Sequence, residues 1–262
     1  MPQPRAYHIA VALADGRVLV AGGYVAGTWG HPSALVYDPT SDTWSGTGSM
    51  LSGRAIATAG RLPDGRVLVA GGSDGSAYLA TAEYYDPSTG LWSAAPAMSG
   101  GRYFAVATLL NDGDLLVVGG YGAESTADRF DTATAAWSTS SLITLRYDRH
   151  GVIRLGDGRV LLAGGVGSSE LSAAEIYDPT SNTWSAAPPM SVARRGGVMT
   201  PLSNGGALFA GGYPYTASAE IFDAATNTWS SIAPMSRVRS WGPVQALLQD
   251  GHYRLEFPEA GE

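Results

Sequence analysis

The stretch PDGRVLVAGG, Pro63–Gly72, decides the fold. Asp64-Gly65 stands between apolar runs. Asp-Gly or Asn-Gly in that setting marks a tight hairpin, since both central residues of a type I′ turn need positive φ. The run Val67–Ala70 is apolar at every position, as for a strand covered on both faces. Gly71-Gly72 then allows positive φ or close backbone approach after that strand. The phrase recurs as ADGRVLVAGG, NDGDLLVVGG, GDGRVLLAGG and SNGGALFAGG, with Gly pairs at Gly22-Gly23, Gly119-Gly120, Gly164-Gly165 and Gly211-Gly212. With Gly71-Gly72 included, successive pairs lie 49, 48, 45 and 47 residues apart. Such a period denotes a repeat architecture, in which one supersecondary unit cannot bury its apolar face alone.

Working outward, each unit reads as four short strands. The first is small and apolar, as in RAIATAG, which suits an innermost position where neighbouring copies converge. The Gly-pair strand comes second. The third ends in an aromatic followed by Asp, and the fourth carries Trp, in YDPTSDTW, YDPSTGLW, FDTATAAW, YDPTSNTW and FDAATNTW. The tryptophans are Trp44, Trp92, Trp137, Trp184 and Trp229, read as packing between sheets. Arranged radially, such sheets cover one another's faces and leave few edges exposed, which is the logic of a β-propeller. The expected organisation is one all-β domain over 1–262, with units at about 5–53, 54–101, 102–145, 146–193 and 194–238.

The tail RSWGPVQALLQDGHYRLEF supplies strands one and two of a sixth, partial unit over about 239–257. Six blades with the last only two-stranded are therefore expected. Five blades with an appended C-terminal hairpin is the alternative. Met1 stands four residues before Arg5, the offset of the internal repeat methionines, so the chain starts at a repeat boundary or is cut from a longer one.

The Gly pair, the following aromatic, the Trp seven residues beyond it, and Met with Arg four residues later together resemble the kelch repeat. The Met-to-Arg spacing holds at Met50/Arg54, Met98/Arg102, Met190/Arg194 and Met235/Arg239. The acidic residue two before the aromatic, typical of kelch repeats, is present as Glu83, Asp128, Glu175 and Glu220; Leu35 replaces it in the first unit. The resemblance implies a propeller but leaves activity open, since kelch propellers include oxidases, sugar mutarotases, specifier proteins and ubiquitin-ligase adaptors.

Composition narrows the field. The net charge is −7, and all sixteen basic residues are arginine, spread along the chain. Nucleic-acid binding needs clustered positive charge, and membrane-surface binding needs the same, so neither is expected. There is no cysteine, which removes disulfides, thiolate zinc sites and the cysteine-tyrosine crosslink of galactose-oxidase-type chemistry. No apolar run is long enough to span a bilayer, and the N-terminus lacks the apolar core of a signal peptide. The compartment stays open, with secretion expected if the chain is cut from a longer precursor. A monomer without metal or cofactor is expected.

The repeat arginines Arg5, Arg54, Arg102, Arg146, Arg194 and Arg239 read as structural ties, and Asp-Pro-Ser/Thr as an ordinary turn rather than a calcium loop. Function is sought where the copies differ. In kelch proteins the ligand face lies just after the repeat Arg and just after the Gly pair. Here the first set is Tyr7, Ile56, Tyr103, Tyr147, Arg195 and Trp241. The second is Tyr24, Ser73 with Asp74, Tyr121, Val166 and Tyr213. The ligand-binding candidates are Tyr7, Tyr24, Asp74, Tyr103, Tyr121, Tyr147, Arg149, Arg195, Tyr213 and Trp241. Amphipathic rings with sparse charges suit a small molecule, glycan or peptide.

Enzyme readings are weaker. His8 and His150 each precede a Gly pair by fourteen residues, but in a six-fold ring their units stand opposite, too far apart to share a metal. No nucleotide loop of the G-x-x-x-x-G-K type and no G-x-S-x-G elbow occurs. Asp148, Arg149 and His150, where unit four carries one extra residue between its Arg and its Gly pair, would serve as acid–base machinery of a sugar-mutarotase type. A strand-entry bulge explains the insertion equally well. A non-enzymatic binding scaffold is thus the expected function, with a carbohydrate-processing enzyme or a structural module of a longer protein as alternatives.

Overall fold

The computed structural model describes residues 1–238 and the backbone of the strands Val244–Leu247 and Tyr253–Glu256. The chain divides into two compact units, Met1–Ser140 and Ser141–Glu262. Among the described residues all regular structure is strand, and no helix is long and apolar enough to cross a membrane.

The first unit contains three four-stranded antiparallel sheets, one per repeat, which we call blades one to three. Blade two shows how the sequence builds them. Thr58–Arg61, Val67–Ala70, Ala82–Asp86 and Leu91–Ala95 pair in chain order. The hairpin at Asp64-Gly65 forms where expected, but not as a two-residue type I′ turn. Leu62 N–H donates to Arg66 O, Gly65 N–H returns to Leu62 O, and Gly65 alone in the loop takes positive φ, +90°. This is a type I turn closed by a left-handed glycine, and the Asp64 side chain stabilises it by accepting from Arg66 N–H at 3.0 Å.

The all-apolar second strand serves two neighbours at once. Val67 and Val69 pack with Leu19 and Val36 of blade one, while Leu68 and Ala70 pack with Leu115 and Val117 of blade three. The period of two thus sends alternate side chains into successive interfaces, and each fully buried Val or Leu contributes about 1.5–3 kcal/mol. First strands of neighbouring blades touch. Gly60 makes room there, since a Cβ would stand 2.5 Å from a methyl of Leu115. The blade tryptophans seal the outer part. Trp92 lies 5.1 Å from the Tyr85 ring and donates Nε1–H to Gly48 O of blade one at 2.8 Å. Trp137 does the same with Phe130 and Pro96 O.

The repeat arginines are buried ties, as read from the sequence. Arg54 donates to Gly71 O, Thr81 O and Glu83, and is 1% exposed. Glu83 also accepts from Leu51 and Ser52 N–H, which fixes the incoming chain. Arg54 O in turn accepts from Gly23 N–H of blade one at 2.8 Å. Asp128 binds Arg102 and Ser99 in the same way. In blade one, Arg5 reaches Gly22 O and Ser33, and Leu35 stands at the repeat position of the acid. Pro2, at the position of Leu51, has no N–H, so one of the two backbone donors that Glu83 serves in blade two is absent here.

The second unit contains blades four and five and a two-stranded sheet. Blade four comprises His150–Arg154, Val160–Gly164, Ala174–Asp178 and Thr183–Ala187. Blade five comprises Val198–Pro201, Ala207–Ala210, Ala219–Asp223 and Thr228–Ile232. Their ties repeat the pattern, with Arg146 on Glu175 at 3.1 Å and Arg194 on Glu220 at 2.9 Å. Val244–Leu247 pairs antiparallel with Tyr253–Glu256, the half-blade expected of the partial sixth repeat. Arg239 and the Asp250-Gly251 turn lie outside the described residues.

Candidate functional site

Antiparallel pairing in chain order places the turns between strands one and two and between three and four at one end of each blade. The loops after the repeat Arg and after the Gly pair gather at the other. The two candidate sets meet there through backbone pairing: Ala6 with Tyr24, Ala55 with Ser73, Tyr103 with Tyr121, and Arg195 with Tyr213. The residue that follows turns left-handed. It is Tyr7 (φ 58°), Ile56 (52°), Phe104 (61°), Arg149 (54°) or Gly196 (66°). Sequence alignment on the Arg had mixed these two registers. Tyr103, Tyr147 and Arg195 belong to the paired segment, Tyr7 and Ile56 to the left-handed position, and Phe104 was missed. Successive left-handed residues also join by backbone, since Ile56 N–H donates to Tyr7 O and Gly196 N–H to Arg149 O, both at 2.9 Å.

Positive φ costs an L-residue about 1–3 kcal/mol where glycine is free of strain, and β-branched Ile56 is an outlier there. Gly196 shows that the fold accepts glycine at this position. Among the described residues, four of five blades nevertheless keep a large side chain on it.

In the first unit those side chains belong to an aromatic arc. Tyr7 and Tyr24 lie with ring centroids 5.3 and 6.4 Å from Trp29. Trp29 stands against the Asp74-Gly75 turn, since a Cβ on Gly75 would meet it at 3.2 Å. Four residues on, Tyr78 stacks on Tyr103 at 4.6 Å, and Tyr103 also touches Phe104 and Tyr121. Tyr7, Tyr24 and Tyr78 are 55%, 42% and 48% exposed, so the rings offer open surface. Asp74 is partly committed. One oxygen accepts from Ser76 and Ala77 N–H at 2.8 Å, and these bonds hold its carboxyl below the usual Asp range. Trp29 and Tyr78 were not singled out because they lie in the loop between strands two and three, which has no counterpart from blade to blade.

In the second unit the extra residue of blade four is a β-bulge. Tyr147 N–H donates to Val166 O, Val166 N–H donates to Asp148 O, and so two residues oppose one. The bulge buries Asp148, with Arg149 Nε 3.5 Å from its Oδ2. Burial pushes the Asp148 carboxyl up, against the pull of Arg149 and Arg195. Arg195 lies 4.7 Å over the Tyr213 ring and 3.5 Å from Glu170. Tyr215, beside Tyr213, is 64% exposed. His150 is buried at the start of its strand. In the first unit His8 is half-buried, and burial, then Arg5, lowers its pKa. Trp241 lies outside the described residues.

The turn end of the first unit offers a cavity of about 440 Å³ lined by Asp15, Arg17, Asp64, Arg66, Asp86 and Ser88. Both guanidiniums are held at 2.7 Å by the carboxylates of their own turns, which leaves little unspent chemistry. The Asp-led turns between strands three and four behave likewise. Asp38, Asp131 and Asp223 accept from backbone N–H groups two and three residues on.

Comparison with known proteins agrees with this architecture. The Kelch motif matches residues 62–99 and 155–191, which fall in blades two and four and run from the end of the first strand past the fourth. No curated protein matches the sequence. Among solved structures, one described as "Structure of YjhT" superposes with a TM-score of 0.70 at 16% identity. The match covers 98% of this chain and 94% of that one. At that identity the likeness concerns fold alone.

Proposed function

We propose that the chain is a recognition scaffold of the kelch-propeller kind whose ligand binds the aromatic arc of the first unit. The carrying observation is the strained position after the repeat Arg. Tyr7, Ile56 and Phe104 stand where glycine would be free of strain, and two of them join the arc. The exposed rings of Tyr7, Tyr24 and Tyr78, with half-buried Trp29 and Tyr103 among them, favour a ligand with flat apolar faces and polar edges. A glycan fits best, and small molecules and peptides with aromatic or proline side chains share that chemistry. The arc carries no arginine, so an anionic ligand gains nothing there.

The test is a thermal-shift and glycan-array screen of the intact chain, followed by titration of hits against Trp29→Ala and Tyr103→Ala. Loss of one stacking ring should weaken binding about tenfold, equivalent to about 1.4 kcal/mol. Affinity unchanged in both variants would refute the site.

A second reading, a carbohydrate-processing activity of the mutarotase type, is favoured by Asp148 alone, a buried carboxyl with a raised pKa beside Arg149. Turnover of a reducing sugar that vanished in Asp148→Ala or His150→Ala would establish it.

A further inference from the structure

Asp148 holds a polar atom that nothing in the fold uses. Its Oδ1 is buried and has no hydrogen-bond partner among the described residues, in a residue only 6% exposed. Buried carboxylate oxygens are ordinarily satisfied, and leaving one without a donor costs about 1–3 kcal/mol or more. The Oδ2 contact with Arg149 is long at 3.5 Å. Among the described residues this site exists in one blade only, because a single inserted residue creates the bulge that carries it. Equivalent positions in blades two and three have Ala55 and Tyr103 paired to their Gly-pair segments without any such carboxylate.

The groups around it define the chemistry. Arg149 and Arg195 both act on Asp148, Glu170 faces Arg195, and His150 follows two residues on. Two guanidiniums and two carboxylates cancel. A net anion or cation would upset that balance, whereas a neutral molecule with hydroxyl groups in pairs can give a proton to Asp148 and accept from an arginine. The ring of Tyr213 beneath Arg195, with exposed Tyr215 next to it, adds a flat apolar surface.

We infer that Asp148, Arg149, Arg195 and Tyr213 form a second ligand site, in the second unit, for a neutral vicinal diol of the kind a pyranoside presents. Asp148 Oδ1 accepts one ligand hydroxyl, a guanidinium donates to its neighbour, and the tyrosine faces the apolar side of the ring. The site stands independently of the aromatic arc in the first unit.

The probes are methyl α-mannoside and methyl α-glucoside as neutral diols, with glucuronate as the anion, titrated into the intact chain by calorimetry and saturation-transfer NMR. A neutral glycoside should bind, and Asp148→Ala should weaken it about tenfold or more. Arg149→Gly is the variant that keeps the fold, because glycine adopts the left-handed backbone as Gly196 does. It should weaken binding by a similar factor. Lowering the pH should weaken binding by the native chain, as Asp148 takes up a proton above the ordinary Asp range, and leave Asp148→Asn flat. Affinity that survives both Asp148→Ala and Arg149→Gly overturns the proposal. So does binding of glucuronate without either neutral glycoside. Neutral-glycoside binding lost in Trp29→Ala but unchanged in Arg149→Gly would support the first-unit site and overturn this one.

Discussion

Replacing Glu83 by Leu copies into blade two what blade one has naturally at Leu35. The consequences should differ sharply. Glu83 accepts from Arg54 at 2.7 Å, from Leu51 N–H at 2.6 Å and from Ser52 N–H at 2.9 Å, all out of water. Glu83→Leu leaves a guanidinium that is 1% exposed without its carboxylate and removes the partner of two backbone donors. Removing one member of a buried pair costs about 3–5 kcal/mol, and the two N–H groups place this case in the upper half, near 4 kcal/mol. At about 2–4 °C per kcal/mol for a domain of this class, the melting midpoint should fall by about 8–16 °C. Denaturant unfolding followed by tryptophan fluorescence, with calorimetry beside it, measures both quantities. The double variant Arg54→Met/Glu83→Leu removes the unpaired charge and should recover that part of the loss, while the two backbone donors stay unsatisfied. A single variant costing less than about 1 kcal/mol would refute the reasoning, as would a double variant no better than the single.

Two further perturbations follow from the same geometry. Gly71→Ala should destabilise by more than about 2 kcal/mol, because its Cβ would stand 2.6 Å from Arg102 O on a backbone with φ +69°, and an unchanged unfolding midpoint would contradict this. For Asp148, burial raises the folded-state pKa, so the fold binds the proton more tightly than the unfolded chain does. The resulting penalty is absent below the ordinary Asp range and complete above the raised value. The native chain should therefore lose stability relative to Asp148→Asn as pH rises through that window, and a pH-independent difference between the two unfolding curves would contradict it.

The repeat was legible because its signals are local and recur with one spacing. Gly pairs, Asp-Gly turns and alternating burial each follow from the chain within a few residues. The half-blade at 244–256 was readable for the same reason. The turn type was not, since Asp-Gly serves a type I turn with a left-handed glycine as well as type I′, and strand geometry chooses between them. The sequence showed that the acidic tie is absent at Leu35, and the structure adds that Arg5 there rests on Gly22 O and Ser33 instead. At the site, the segments after the repeat Arg and after the Gly pair meet by backbone pairing, which their recurring positions in the sequence allowed one to look for. Their mutual register was not legible, because bridge pairing across the loops depends on bulges such as that at Tyr147 and Asp148. Trp29 and Tyr78 carried no periodic signal, whereas Phe104 stands two residues after its repeat Arg as Tyr7 and Ile56 do, and was passed over for its neighbour Tyr103. A tryptophan outside the repeating phrase was the one hint at Trp29.

The most direct test of ligand recognition by the arc is fluorine NMR of the chain labelled with 5-fluorotryptophan, titrated with a ligand from the screen. The seven tryptophans give resolvable signals, and Trp29→Phe assigns the one from the arc. The account predicts that ligand shifts the Trp29 resonance in a saturable way and leaves Trp44, Trp92, Trp137, Trp184 and Trp229 in place. Saturable binding with the Trp29 resonance unmoved would contradict it.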